Sequence, residues 1–150
     1  MRLQTTKRRG AAIVEAAIVY PLVFLFTIGF VVGVLGIFRY QEVASLSREA
    51  CRYAAVHGTT YAKDAGVSAP TPQDIYNNII KARAVALDPS QLTYSITYNT
   101  SNAPYHVVVV NNEPVYVYNT VTVVVTYRWV PEGFLGGITL SSSSSMQMCY

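Results

Sequence analysis

The chain has 150 residues, of which 51% are hydrophobic and only 13% are charged, and its formal net charge is +3 at pH 7. Four of its 11 basic side chains lie in the first ten positions, and the remainder carries 7 basic and 8 acidic side chains. The positive charge therefore belongs to the N-terminal segment, and the composition argues against a nucleic-acid-binding surface.

A long apolar segment follows the basic N-terminus. Residues 11–38 contain a single ionisable side chain, that of Glu15. At 1.5 Å per residue, a helix of this length would extend about 42 Å, which exceeds the ~30 Å hydrocarbon core of a bilayer. The sequence therefore predicts a transmembrane helix over residues 11–38.

The basic residues predict the orientation of this helix. An excess of Lys and Arg marks the cytoplasmic flank of a span, so we expect the N-terminus inside the cell and residues 39–150 exported. A secretory signal peptide also begins with basic residues, but its apolar core has about 7 to 15 residues and ends at a small-residue cleavage site. Here the apolar segment continues as far as Arg39.

Glu15 is a charge inside the predicted span. Such a charge costs a few kcal/mol and usually faces a partner or a polar cavity. Cleavage after Gly10 would create an α-amino group at Ala11, about one helical turn away and mostly cationic at neutral pH. That amine could pair with Glu15 within one chain or between chains. The alternative is that Glu15 extends to the headgroup level and the span begins at Ala16.

The stem sequence resembles a known family. The segment RRGAAIVEAAIVYPLVF looks like a type IV prepilin leader, with basic residues, a glycine before the scissile bond and a glutamate at the fifth mature position. From this stem through the segment SREACRYAAVHG to the β-rich C-terminal half, the chain is similar to the TadE-like pseudopilins of bacterial tight-adherence pili.

The resemblance implies both processing and assembly. Gly10 would precede the cut made by a prepilin peptidase at the bacterial inner membrane, Ala11 would become the new N-terminus, and Glu15 would be the assembly glutamate. The expected partners are that peptidase, the membrane, other pilin-like subunits and the pilus assembly machinery. Major pilins of this branch often carry tyrosine after the glutamate, whereas this chain has Ala16, which favours a minor pseudopilin.

Small residues in the stem predict helix packing. Gly29 and Gly33 form a GxxxG pair and Gly36 follows about one turn later; such residues let helices approach closely in lipid. The alternative is that glycine is simply common in membrane helices. Pro21 removes a helical hydrogen bond, which predicts a kink or local melting.

Beyond the span, the helix is predicted to continue in water and to end near His57. Its apolar stripe should pack on a soluble domain: Val43, Leu46, Ala50, Tyr53, Ala54 and His57. Gly58 is predicted as a left-handed cap and residues 59–70 as a loop.

A second helix should begin with a capping box at Thr71 and Asp74 and end at Asp88. Its buried stripe is predicted at helical spacing: Ile75, Ile79, Ala82 and Ala86.

The C-terminal half is predicted to be β-structure. Residues 92–98 alternate strictly between apolar and polar, residues 106–110 and 115–129 are rich in Val, Thr and Tyr, and residues 138–150 bracket a serine tract with apolar residues. That tract could be a flexible linker, but the alternation favours a strand. We therefore expect an α+β fold, with an antiparallel sheet packed on the stem helix and three segments: a leader at 1–10, a span at 11–38 and an exported domain at 39–150.

The sequence contains few residues or motifs that are typical of catalysis or metal binding. Two histidines and two cysteines are too sparse for a zinc site, and no motif for a phosphate loop or a catalytic nucleophile occurs. We expect no enzyme activity, metal, cofactor or small-molecule substrate.

Cys51 and Cys149 are the only cysteines, and both lie on the predicted exported side. A C-terminal strand along the stem helix would bring them within reach of a disulfide. The alternative is two buried free thiols.

Two classes of function remain. One is a cleaved pilin-like subunit that assembles through its stem and enters either the inner membrane complex or an extracellular pilus. The other is an uncleaved single-pass membrane protein that displays a binding or adhesion module. The position of Glu15, five residues after Gly10, favours the first.

Overall fold

The computed structural model describes residues 5–102, 105–131 and 136–148. Helix α1 spans Thr5–Val56, α2 spans Thr59–Ala65 and α3 spans Pro72–Ile75; a π-helical turn, Tyr76–Lys81, and a 3-10 turn, Pro89–Gln91, follow. The strands are β1 Leu92–Asn99, β2 Tyr105–Val110, β3 Glu113–Tyr118, β4 Thr120–Trp129 and β5 Ile138–Gln147. The chain divides into two compact units within α1, Met1–Ile37 and Phe38–Tyr150.

The strands form two antiparallel sheets. One has three strands in the order β1-β4-β5, and the other is the hairpin of β2 and β3. The predicted strands at 92–98 and 106–110 are confirmed, whereas the predicted long run at 115–129 is divided at Asn119 between two sheets. The α+β prediction is confirmed: a long N-terminal apolar helix precedes an antiparallel β domain.

The core of the second unit lies between the end of α1 and the central strand. Alternate residues of β4 are buried because their side chains point to one face of the sheet: Val121, Val123, Val125, Tyr127 and Trp129. On α1 the buried residues recur at helical spacing and include many small side chains: Val43, Leu46, Ser47, Ala50, Cys51, Ala54 and Ala55. Small side chains let the helix lie close to the sheet.

The serine tract is a strand, as predicted. It pairs with β4 from Ile138 opposite Trp129 to Gln147 opposite Thr120. Because residues directly opposite one another share a face, Ser142 and Ser144 lie on the helix side with Met146. The Ser142 hydroxyl contacts that of the buried Ser47 at 3.0 Å. The alternating serines therefore supply small polar partners where the helix meets the sheet.

The predicted Cys51–Cys149 bridge is not supported. Cys51 is a free, buried thiol, and its Sγ donates to the carbonyl oxygen of Val121 at 3.4 Å. Cys149 lies outside the described residues. Burial raises the pKa of the Cys51 thiol, which keeps the group neutral and able to donate. The thiol thus serves as a small, weakly polar packing residue, which is the free-thiol alternative for this position.

The prediction for residues 58–70 was wrong in two respects. Gly58 has extended backbone angles and precedes α2, so the left-handed cap is instead Gly66, with φ of 65°, at the end of that helix. The segment predicted to be a loop contains α2. A helix of two turns with few apolar residues has too little periodicity to be recognised from sequence.

The second predicted helix begins as expected but changes pitch. The capping box at Thr71 and Asp74 is present, and its hydrogen bonds lower the pKa of Asp74. The chain then forms the π-helical turn, which moves the buried position from four to five residues after Ile75. Ile80 is consequently buried, whereas Ile79 is half-buried and Ala82 and Ala86 are exposed.

Pro21 does not interrupt α1. The helix is continuous from Thr5 to Val56 with Pro21 inside it, so the predicted local melting does not occur. One missing hydrogen bond is tolerated because the flanking apolar turns retain theirs.

Candidate assembly site

The N-terminal unit exposes an almost entirely apolar helix surface. Except for the half-buried Val32, its large hydrophobic side chains between Ile13 and Phe38 are 44 to 74% exposed, far more than a soluble surface normally carries in one patch. Gly10–Val56 is long and apolar enough to cross a membrane once. Lipid or other apolar helices are the environments that would cover this surface.

Glu15 lies on this exposed surface. It has no hydrogen bond or ion pair with any side chain that the structure describes. The residues one turn away along the helix are alanine, isoleucine and valine, so the helix itself supplies no countercharge. A carboxylate in this position needs water, a headgroup or a charge from outside the folded chain.

Gly10 and Ala11, the residues of the predicted cleavage junction, are both exposed within α1. A Cβ atom built on Gly10, Gly29 or Gly33 would meet nothing within 4 Å. Glycine costs a helix about 1 kcal/mol relative to alanine, and packing within the described chain gives no reason for these glycines. Gly36 lies on the same helix.

Polar contacts at the start of the second unit fix α1 to the segment before β1. The Arg39 guanidinium donates to the Ala86 carbonyl and lies 6.0 Å from the ring centroids of Tyr127 and Trp129. Glu42 Oε1 accepts from the Ala86 amide nitrogen at 3.0 Å. The C=O and N–H groups of Ala86 are thereby hydrogen-bonded to the Arg39 and Glu42 side chains, which lie about one helical turn apart on α1.

Neither Arg39 nor Glu42 belongs to the predicted apolar stripe, and this contact was not predicted from the sequence. The available signal was their i, i+3 spacing next to the end of the apolar segment, which places two opposite charges on one face. A third contact, the ion pair of Glu49 with Arg83, was equally unforeseen because its partners are far apart in sequence.

A single exposed apolar helix joined to a small antiparallel β domain defines the class of pilin-like, membrane-anchored proteins. A family model described as TadE-like protein matches residues 10–52, which include Gly10, Ala11, Glu15 and the stem glycines. The resemblance predicted from the stem is thus confirmed over residues 10–52, where the chain is similar to the TadE-like proteins of tight-adherence pili. No curated protein and no solved structure matches the chain. The family is a structural component of the pilus and is not typically enzymatic.

Proposed function

We propose that the chain is a minor pilin or pseudopilin subunit that takes part in assembling a tight-adherence type IV pilus. The observation that carries the proposal is the family match, which begins at Gly10 and extends along the stem to residue 52. The mature subunit begins at Ala11, and the segment 39–150 is its exported domain. The exposed apolar stem then lies first in the inner membrane and, after assembly, in a bundle of subunit stems.

Processing starts the assembly sequence. A prepilin peptidase at the cytoplasmic face removes residues 1–10, which carry four of the chain's basic side chains. Without these basic side chains, the N-terminus of the stem is no longer held at the cytoplasmic side by its charge. The cut also exposes the α-amino group of Ala11, whose pKa of about 7.7 to 8.0 makes it mostly cationic at neutral pH.

Glu15 then forms an ion pair with the N-terminal amine of a neighbouring subunit. It lies four positions after Ala11, a rise of about 6 Å along a helix. A neighbouring subunit displaced by about one turn brings its own amine to this carboxylate. The ion pair offsets the cost of carrying a charge in an apolar bundle, and it fixes the axial register between stems because no other charge lies within residues 11–38.

The stem glycines supply the contact surface. Gly29, Gly33 and Gly36 leave the helix backbone accessible over two turns, so an adjacent helix can approach closely and gain van der Waals contact and weak Cα–H hydrogen bonds. The open space next to Gly29 and Gly33 supports this reading.

Charge-selective variants of Glu15 test the proposal. Glu15→Gln removes the charge and keeps the size, whereas Glu15→Asp keeps the charge. With cleavage unchanged, Glu15→Gln should reduce crosslinking to other pilin-like subunits and incorporation into pili by tenfold or more, and Glu15→Asp should retain most of both. Normal incorporation of Glu15→Gln would contradict the assembly role and favour the headgroup-level alternative.

A further inference from the structure

The hairpin of β2 and β3 stands apart from the rest of the sheet structure. Its strands pair with each other and with no other strand that the structure describes. They are joined by Asn111 and Asn112, whose φ angles of 52° and 65° define a type I′ turn. A two-stranded ribbon without further support is only marginally stable in water, so this hairpin is a candidate for an interaction surface.

Both faces of the hairpin are apolar. One face carries three tyrosines in edge-to-face or tilted contact, together with valines: Tyr105, Tyr116, Tyr118, Val107 and Val109. The opposite face carries mainly valines: Val108, Val110, Val115 and Val117. Glu113 is the only charged side chain of the two strands. A polar outer face, which would keep such a ribbon in solvent, is missing from residues 105–118.

The two edges of the hairpin differ. A two-residue turn closes on a hydrogen-bonded pair, here Val110 with Glu113, so the next pair, Val109 with Pro114, is a non-hydrogen-bonded one. The backbone groups of that pair point away from the hairpin. Pro114 has no N–H, so the outer edge of β3 lacks one of its three outward donors, and a proline on an edge strand disfavours pairing.

The outer edge of β2 pairs with no strand among the described residues. By the same alternation, Tyr105, Val107 and Val109 direct their N–H and C=O groups outward. β2 contains no proline, lysine, arginine or carboxylate, its one titratable side chain is His106, and its valines favour strand pairing.

We infer that β2 is a homodimerisation edge: a second copy of this chain adds its own β2 in antiparallel orientation, with Val107 opposite the partner's Val107. This register pairs Tyr105 with the partner's Val109 and uses every outward-directed residue of both strands. It forms about six backbone hydrogen bonds, because each hydrogen-bonded pair exchanges two.

A second copy fits this edge for two reasons. β2 carries no lysine, arginine or carboxylate, and in this register His106 lies opposite the partner's Val108, so no like charges are paired directly. The product is a four-stranded ribbon whose two outer edges are both β3, each protected by Pro114. Pairing therefore closes at a twofold dimer and does not continue into a fibre.

The size of the surface sets the strength of the dimer. The hairpin presents about 600 Å² of apolar surface. This area comes from three tyrosines of ~200 Å² each, which are 37 to 51% exposed, and from five valines, which are 38 to 68% exposed. Edge pairing covers roughly half of this on each copy, which is the size of a weak, transient interface. Confinement of both copies to one membrane raises their effective concentration enough to populate it.

Cysteine crosslinking of the full chain in lipid vesicles tests the register. In a Cys149→Ser background, Val107→Cys should form a disulfide-linked homodimer on mild oxidation, because directly paired residues lie about 5.5 Å apart. Val115→Cys, on β3 with a similar exposure of 44% against 49%, is the matched control and should crosslink at least tenfold less. Equal crosslinking of the two variants, or linkage of Val107→Cys to a different protein, would overturn the proposal.

A charge-swap experiment tests the pairing itself. Val107→Lys places like charges opposite each other across the dimer and should lower the dimer fraction about tenfold, whereas Val115→Lys should leave it near that of the unmodified chain. Mixing Val107→Lys with Val107→Glu should restore dimers that contain one copy of each. A Val107→Lys chain that dimerises normally would contradict the inference. The inference is independent of the proposed Glu15 contact: Glu15→Gln should not change the Val107→Cys crosslink.

Discussion

Cys51 shows how one buried side chain can be interpreted in two ways from sequence. The predicted apolar stripe of α1 did not include it, and a buried free thiol was the alternative to the predicted bridge. Its covalent state was not predictable, because a thiol that packs as a small apolar residue and a thiol in a bridge occupy the same kind of position. The 3.4 Å contact with the Val121 carbonyl and the small neighbours supplied by β5 identify it as a packing residue.

Thiol labelling provides the first prediction. In the folded full chain at pH 8, Cys51 should resist alkylation, since it is buried and its raised pKa keeps it protonated; in denaturant it should react without prior reduction. Mass spectrometry of the labelled peptide provides the measurement, and an exposed Arg52→Cys substitution provides a rapidly reacting control. Cys51 that labels only after reduction would contradict the free thiol.

The free energy of unfolding should depend on pH because the pKa of the Cys51 thiol is raised in the folded state. The unfolded thiol loses its proton near its ordinary pKa of 9.0, while the folded thiol still holds it. The unfolded state therefore binds fewer protons above that pH, and the free energy of unfolding should fall as pH rises through and beyond about 9. Denaturant titrations at pH 8 and 10 should show a smaller loss of stability for Cys51→Ala than for the unmodified chain. The same loss in both chains would contradict this assignment.

At the scale of single elements, the sequence predicted the start of the second helix better than its interior. Thr71, Pro72 and Asp74 are local signals, and their capping box forms as expected. The π-helical turn that follows has no comparable local signal, because it depends on which isoleucine fits the core. The prediction therefore chose Ile79 by regular spacing, whereas the fold buries Ile80.

The two adjacent isoleucines provide a matched test. Ile80→Ala removes a fully buried side chain and should lower the free energy of unfolding by about 2–5 kcal/mol. Ile79→Ala makes the same chemical change at a half-buried position and should cost about 1 kcal/mol. Denaturant unfolding of the full chain in detergent micelles would measure both. A larger loss for Ile79→Ala would show that the helix keeps regular α spacing.

The serine tract allows a second matched comparison. Period-two alternation around Ser141 to Ser145 predicted a strand, but composition could not show why serine is needed on both faces. Ser142 meets Ser47 on the helix side, whereas Ser143 is exposed on the other face. Ser142→Val should therefore destabilise the chain by about 1–3 kcal/mol through overpacking, and Ser143→Val should change stability by about 0.5 kcal/mol or less. Equal effects in the same unfolding assay would argue against the observed register.

At the scale of the whole molecule, the apolar segment and the strand alternation predicted the α+β layout because both are strong periodic signals. The separation of the hairpin from the main sheet was not predictable, since residues 115–129 form one continuous β-favouring run that is divided only at Asn119. The contact of Arg39 and Glu42 with Ala86 also depends on tertiary structure. Glu15 and the stem glycines, in contrast, stood out in sequence because a lone charge and repeated small residues are unusual in an apolar helix.

We propose above that the chain is processed after Gly10 and assembled through its stem. Intact mass and N-terminal sequencing of the protein from membranes that contain an active prepilin peptidase test it most directly. We expect a chain that begins at Ala11, and we expect Gly10→Val to keep residues 1–10 because a branched side chain would crowd a peptidase pocket shaped for a small residue. A chain that retains residues 1–10, in cells whose peptidase cleaves another prepilin, would contradict it.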